Sequence, residues 1–475
     1  MDENTKTPSL YEVSQMAKDA GLEGEEDTHL VVFVSCIHGG FVWMRSVSRS
    51  GKDQVVDAVE YCLPNKGGFK VFHVPTSTSK TALYKKAEVM NSSQIHRYPD
   101  IASLPEHLES MLKRHGEGKP ITHELATGTD SGETMSQTIQ PPHAFILFHA
   151  SDNEKVDPDE FPELRNRALM VSVDASQNLT EQVNTRQALE EAGLYETKVG
   201  AERAQEIRDY IATIPKGIYI DGAGEILNPV APAIDNQNPL PQKFVEARQD
   251  FPRLLKFMSS ITLFHYRERM QIMEEGKALL LVTPADVWLA MRIFGQDMVL
   301  SALNLRDRDL LILNLLRVDM KTALSQSEIQ MALREEGLNC SDRDVAKSLK
   351  GMLNKGYVKK DQSQSPVVWS ATPFANQVSA DVRLDWETVV EDTEEIARKT
   401  LSESDAEEYI ERFCRGDGLL VRSPFSGEVV NITESNDLEE IIDDKMEIEN
   451  EIIDKTQLGN EPEEAGQASL GGVLG

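Results

Sequence analysis

The spacing of apolar positions changes repeatedly along the chain. Leu10 to Ala20 has the period of a short helix, and the Gly- and Glu-rich stretch Gly21 to Thr28 reads as a linker before the apolar run Leu30 to Ile37. Phe41-Val42-Trp43-Met44 is a compact buried-strand signal, Ser46 to Asp53 a loop, and Gln54 to Leu63 a helix by the spacing of Val55, Ala58 and Tyr61. Ala144 to Phe148 and Leu169 to Val173 are further apolar runs of strand length. With helical stretches between them, they predict an α/β core with parallel strands. Between the strands, Ile121 to Gln140 is rich in Thr and Ser around Asp130-Ser131-Gly132 and predicts a hairpin.

The second half is mostly helical in pattern. Glu181 to Ile214 reads as helix, Gly217 to Pro241 as a Pro-, Gly- and Asn-dense loop, and Lys243 to Met273 as one long helix. Asp307 to Thr372 has the outline of a winged helix. Its three short helices are Asp309 to Val318, Ser327 to Glu336 and Asp342 to Lys355, followed by Tyr357-Val358 and Val367-Val368-Trp369 around a polar turn. In the third helix Val345, Leu349, Met352 and Leu353 share one face, which leaves Arg343, Lys347 and Lys350 on another.

Charge sharpens this picture. The 475 residues carry 79 Asp and Glu against 49 Lys and Arg, a formal net charge of -30, which excludes a uniformly basic nucleic-acid coat and suits a high-salt cytoplasm. Wholesale disorder is excluded by 40% hydrophobic residues. Against that acidic background, positions 306 to 360 hold eleven basic and eight acidic residues, a local +3, with Lys359 and Lys360 leading into the expected wing. From Glu434 onward thirteen acids face only Lys445 and Lys455, the composition of a disordered solvating tail. Cys36, Cys62, Cys340 and Cys414 form no C-x-x-C pair, so neither a disulfide framework nor a zinc ribbon is expected. Met1-Asp2-Glu3-Asn4 does not start a signal peptide and the longest apolar run is too short for a bilayer, so a soluble, cytoplasmic protein without membrane contact is expected.

The strand, loop and helix over Phe41 to Leu63 enclose Ser46-Val47-Ser48-Arg49-Ser50-Gly51-Lys52-Asp53, to be set against the phosphate-loop pattern G-x-x-x-x-G-K-[ST]. A phosphate cradle needs inward backbone N–H groups at a helix start, a glycine at the close approach and a lysine for the outer phosphates. Gly51 and Lys52 supply the last two, with Ser48, Arg49 and Ser50 forming the loop. Ser46 replaces the first glycine. Asp53 replaces the hydroxyl that holds magnesium, so either a metal bridges Asp53 or nucleotide binding is weakened.

Further along, Gln94 to Asp100 followed by Leu104-Pro105-Glu106 stands where AAA+ ATPases carry their Walker B strand, although His96 and Arg97 interrupt its apolar run. Ala144 to Asn153 looks like the sensor 1 strand, and Asp157 to Arg167 resembles the segment that ends in an arginine finger. Glu246 to Leu255 resembles the sensor 2 helix of minichromosome-maintenance-type replicative helicases, which also end in a winged helix. From about residue 29 to 370 the order of parts resembles an AAA+ module of that lineage, as found in archaeal plasmids and viruses and in primase-associated helicases of mobile elements. The resemblance implies ATP and Mg2+ held by Gly51, Lys52 and Asp53, Asp100 beside the metal, Asn153 orienting water, and Arg165 or Arg167 acting in trans with Arg248. Arginines in trans imply a homo-oligomer, with a hexameric ring as the expected form.

The expected fold is therefore an α/β P-loop NTPase core over 29–180, a helical lid and linker over 181–305, and a winged helix over 306–373. These follow an N-terminal helix and linker over 1–28 and precede a small α/β segment over 374–433 and the acidic tail over 434–475. Two functions are compatible with this reading. One is an ATPase acting on DNA in replication or maintenance of a mobile element. The other is a catalytically degenerate ATPase fold that serves as a DNA- or protein-binding scaffold.

Overall fold

A computed structural model describes residues 7–434 apart from 47–50, 67–68, 76–78, 102–105, 127–133, 151–161, 166, 174–176, 215–225, 241–246, 275–276, 304, 306, 319–322, 336–339 and 376–383. The chain opens with helix α1 (Leu10–Asp19), started by a capping box in which Ser9 and Glu12 exchange hydrogen bonds. Helix α2 (Glu26–His38) follows, so the apolar run Leu30 to Ile37 is helical and the linker is shorter than the composition suggests. Every residue from Thr28 to Ile37 is buried, which is why the run has no polar face.

Strand β1 (Phe41–Ser46) leads to helix α3 (Lys52–Cys62). Next come β2 (Val71–His73), α4 (Lys80–Tyr84), α5 (Ala87–Ser92), β3 (Ile95–Asp100) and α6 (Glu106–Gly116). The expected hairpin is present as β4 (Ile121–Ala126) paired antiparallel with β5 (Thr134–Ile139). Then follow β6 (Ala144–Ala150), α7 (Pro162–Arg165) and β7 (Leu169–Ser172). The central sheet has the order β2-β3-β6-β1-β7 and every pairing in it is parallel. The molecule is thus an α/β protein built on a five-stranded parallel sheet.

Alternation along these strands divides the apolar residues between two cores. Val42, Met44, Ile146, Phe148 and Val171 face a core shared with α1, α2 and α3, whereas Phe41, Trp43, Phe145, Leu147 and Met170 face one shared with α5 and α6. Both faces are covered, as the unbroken apolar runs require.

Helices α8 (Gln177–Glu191) and α9 (Ala201–Thr213) are followed by β8 (Ile226–Leu227), α10 (Ala231–Asn236) and α11 (Ala247–Phe264). The long helix expected to reach Met273 stops at Phe264, because Gln271–Glu274 is instead strand β9, paired antiparallel with β10 (Lys277–Leu281). Helical period persists through this segment, but hairpin pairing decides its conformation. Helix α12 (Pro284–Ala302) starts from a capping box of Thr283 and Asp286.

Three helices come next: α13 (Asp307–Val318), α14 (Gln326–Glu335) and α15 (Asp342–Lys355), with the short strand β11 (Leu324–Ser325) before α14. Strands β12 (Val358–Asp361) and β13 (Val368–Ala371) complete an antiparallel sheet in the order β11-β13-β12. The chain continues through α16 (Trp386–Thr400), α17 (Glu403–Phe413), β14 (Leu420–Arg422) and β15 (Val429–Asn431). All four cysteines are buried and free. Among the described residues no helix is long and apolar enough to cross a membrane.

Candidate functional site

Parallel pairing of β1 with β6 and of β6 with β3 brings the carboxyl ends of these three strands side by side on one edge of the sheet. Open parallel sheets bind ligands at that edge. Gly51 has a positive φ of 88°, a conformation that favours glycine, and stands directly before α3. Having no side chain, it provides no cap to the helix start, where backbone N–H groups and the helix dipole favour an anion. Lys52 is the first helical residue and its side chain is largely buried. Ser48, Arg49 and Ser50 lie outside the described residues, as does Asn153; Ser46 ends β1, paired with Ala150 on β6.

Asp53 is engaged by a group that the sequence reading treated only as an interruption. Arg97, on β3, points its guanidinium at α3: Nη2 is 2.6 Å from Oδ1 of Asp53, and Nη1 is 2.5 Å from Asp57 and 3.0 Å from Glu60. Its carbon Cζ also lies 5.3 Å from the centre of the Phe148 ring. The spacing Asp53, Asp57, Glu60 puts the three acids on one face of α3, and that stripe was the signal available in the sequence. The other interruption, His96, is fully buried on the opposite face, with Nε2 3.1 Å from the Met90 carbonyl oxygen.

Asp100 ends β3 opposite Phe148, half-exposed. Arg165 ends α7 and lines a cleft with Arg45, Met170, Ser172, Asp297 and Ser301, at the carboxyl ends of β1 and β7. Arg167 is held within its own chain, donating to the Lys113 carbonyl at 3.0 Å and reaching Glu117 at 3.3 Å. On α11, Arg248 is exposed, whereas Arg253 is the arginine that reaches α7. It donates to Asp250 Oδ1 at 2.5 Å and to the Arg165 carbonyl at 3.3 Å. Burial pushes the Asp250 carboxyl up, against the opposing pull of Arg253 and Ser301. Asp250, Arg253 and Arg45 were not singled out by sequence, since nothing local shows that α11 adjoins α7.

The helix start at Gly51 and Lys52 offers an anion backbone N–H groups and the positive end of a helix dipole. At Asp53, Arg97 meets one carboxylate oxygen while the side chain is otherwise 82% exposed; among the described residues no group of three or more His, Cys, Asp and Glu could hold a metal ion.

The module α13 to β13 carries the basic residues expected of it. Arg343, Lys347, Lys350, Lys359 and Lys360 are all exposed, the first three on α15 and the last two on β12. Val345, Leu349 and Met352 are buried as expected, but Leu353 is 37% exposed and Ser348 takes the inner position. Arg308 donates to Ser348 Oγ at 3.1 Å, tying α13 to α15, and Lys360 Nζ stands 5.4 Å from the Trp369 ring centre. The chain matches no protein-family model and no curated protein.

Proposed function

We propose that this chain is an ATP-binding protein of AAA+ P-loop type that acts on DNA through a winged helix formed by α13 to β13. The observation that carries the reading is the convergence at one sheet edge of β1 with its Gly51-Lys52 helix start, β3 with its terminal Asp100, and β6. Those are the three strands on which the resemblance depends, and they are separated by more than forty residues each in the chain. In the C-terminal module, three helices and a small antiparallel sheet leave α15 with a basic outer face, as a recognition helix for the major groove requires. A role in replication or maintenance of a mobile element, as a homo-oligomer, belongs to the same proposal.

ATP binding by the full chain tests it. Lys52→Ala removes one charged phosphate contact and should weaken binding about ten- to a hundredfold, with the melting temperature followed alongside to separate loss of the contact from loss of the fold. Equal affinity in the two proteins would reject the loop assignment. Hydrolysis measured with a DNA titration then separates an ATPase from a scaffold. The scaffold reading is favoured by one observation, the hold of Arg97 on Asp53.

A further inference from the structure

We infer that Gly351 on α15 is the floor of a phosphate seat, the point at which the backbone of bound DNA comes closest to this chain. The inference rests on the DNA-binding proposal above and specifies where on the module the partner sits. Gly351 lies inside α15 in right-handed helical backbone, a conformation open to any residue. A β-carbon there would meet no atom within 4 Å beyond its own helix backbone and its neighbours in sequence. Neither conformation nor space inside the molecule therefore calls for glycine, yet a glycine in a helix interior costs about fivefold in the folding equilibrium relative to alanine. A requirement that the chain does not explain internally points to a partner that needs the room.

The surroundings give that partner its chemistry. On the helix surface Gly351 has Lys347, Asn354 and Lys355 as neighbours, with Lys350 beside it in sequence. From Lys347 to its end α15 carries no acid. Its two acids stand in the first turn and are engaged within the chain: Asp342 accepts from Gln326 at 2.6 Å, and Asp344 accepts from Ser341 at 2.6 Å and lies 3.6 Å from Arg308. Val345, Leu349 and Met352 bury the other side of the helix. Three lysines and one amide around a bare Cα thus suit a phosphodiester group, whose contacts to lysine, asparagine and backbone fix the register of a protein on DNA.

The test is the affinity of the full chain for a short labelled DNA duplex, followed by fluorescence anisotropy over a range of salt concentrations, beside urea unfolding. Gly351→Ala should unfold at higher urea than the native chain and yet bind the duplex about three- to tenfold more weakly, with a log–log salt slope flatter by about one unit because one phosphate contact is lost. Gly351→Leu fills the seat further and should bind more weakly still. Affinity and slope equal to native in Gly351→Ala would overturn this inference and leave the DNA proposal standing, as would a weaker affinity at unchanged slope. A Gly351→Ala chain less stable than native would overturn it too, since the glycine would then serve the fold. Absence of duplex binding by the native chain at low salt would instead overturn the DNA proposal and this inference together.

Discussion

Asp286 shows what a single buried charge does when every lone pair is used. Arg269 grips it through Nε and Nη2, at 2.6 Å for the shortest contact, while Thr262 Oγ1 and the Thr283 backbone N–H and hydroxyl also donate to it. Burial opposes ionisation, yet the Arg269 charge holds the carboxyl well below the usual carboxylate range. A depressed carboxylate stabilises the fold above its unfolded pKa of about 4 and loses that contribution as acid is added below it. Asp286→Asn leaves Arg269 buried and unmatched, so it should cost about 3–5 kcal/mol at pH 7 by urea unfolding, with a shallower decline below about pH 4. His96 works in the opposite range. Burial lowers it to about 4, against the backbone hydrogen bonds of Met90 and Ser93, while the unfolded side chain takes up a proton near 6.5. Stability should therefore fall as pH drops from 6.5 towards 4, and His96→Gln should remove up to about 1.4 kcal/mol per pH unit of that slope.

Among the elements, α15 is the one whose local chemistry is most complete. Ser341 and Asp344 form its capping box, Gly356 ends it with a φ of 80°, and Tyr357 then donates to the Leu303 carbonyl at 2.8 Å. Its core face is Val345, Leu349 and Met352, so the exposed Arg343, Lys347 and Lys350 can change sign without disturbing packing. Replacing all three by Glu should weaken DNA binding and flatten its dependence on salt by up to about three units of the log–log slope, with ATP binding unchanged. An unaltered slope would make the module a protein-contact surface.

Across the whole molecule, acids exceed bases by 79 to 49, and the excess is uneven. Self-repulsion at -30 is screened by salt, so the melting temperature should rise between low salt and about 1 M, where the Debye length has fallen to about 3 Å.

Local signals located most elements. The apolar runs marked β1, β6 and β7, the Thr- and Ser-rich stretch marked the β4/β5 hairpin, and α15 starts and stops where its spacing indicates, because period, caps and turn residues act within a few positions of one another. The Gly51-Lys52 helix start was legible for the same reason. Tertiary structure decided everything that depends on who the neighbour is. It made the run Leu30 to Ile37 a helix surrounded by others, ended α11 at Phe264 by pairing β9 with β10, and placed β6 between β1 and β3 across long stretches of chain. It also turned Arg97 from a flaw in an apolar strand into the partner of three carboxylates, and brought Arg253 rather than Arg248 to the end of α7. The physical reason is range: backbone preference and amphipathic period are properties of adjacent residues, whereas strand adjacency and ion pairing depend on distances in space that are set only when distant segments share one core.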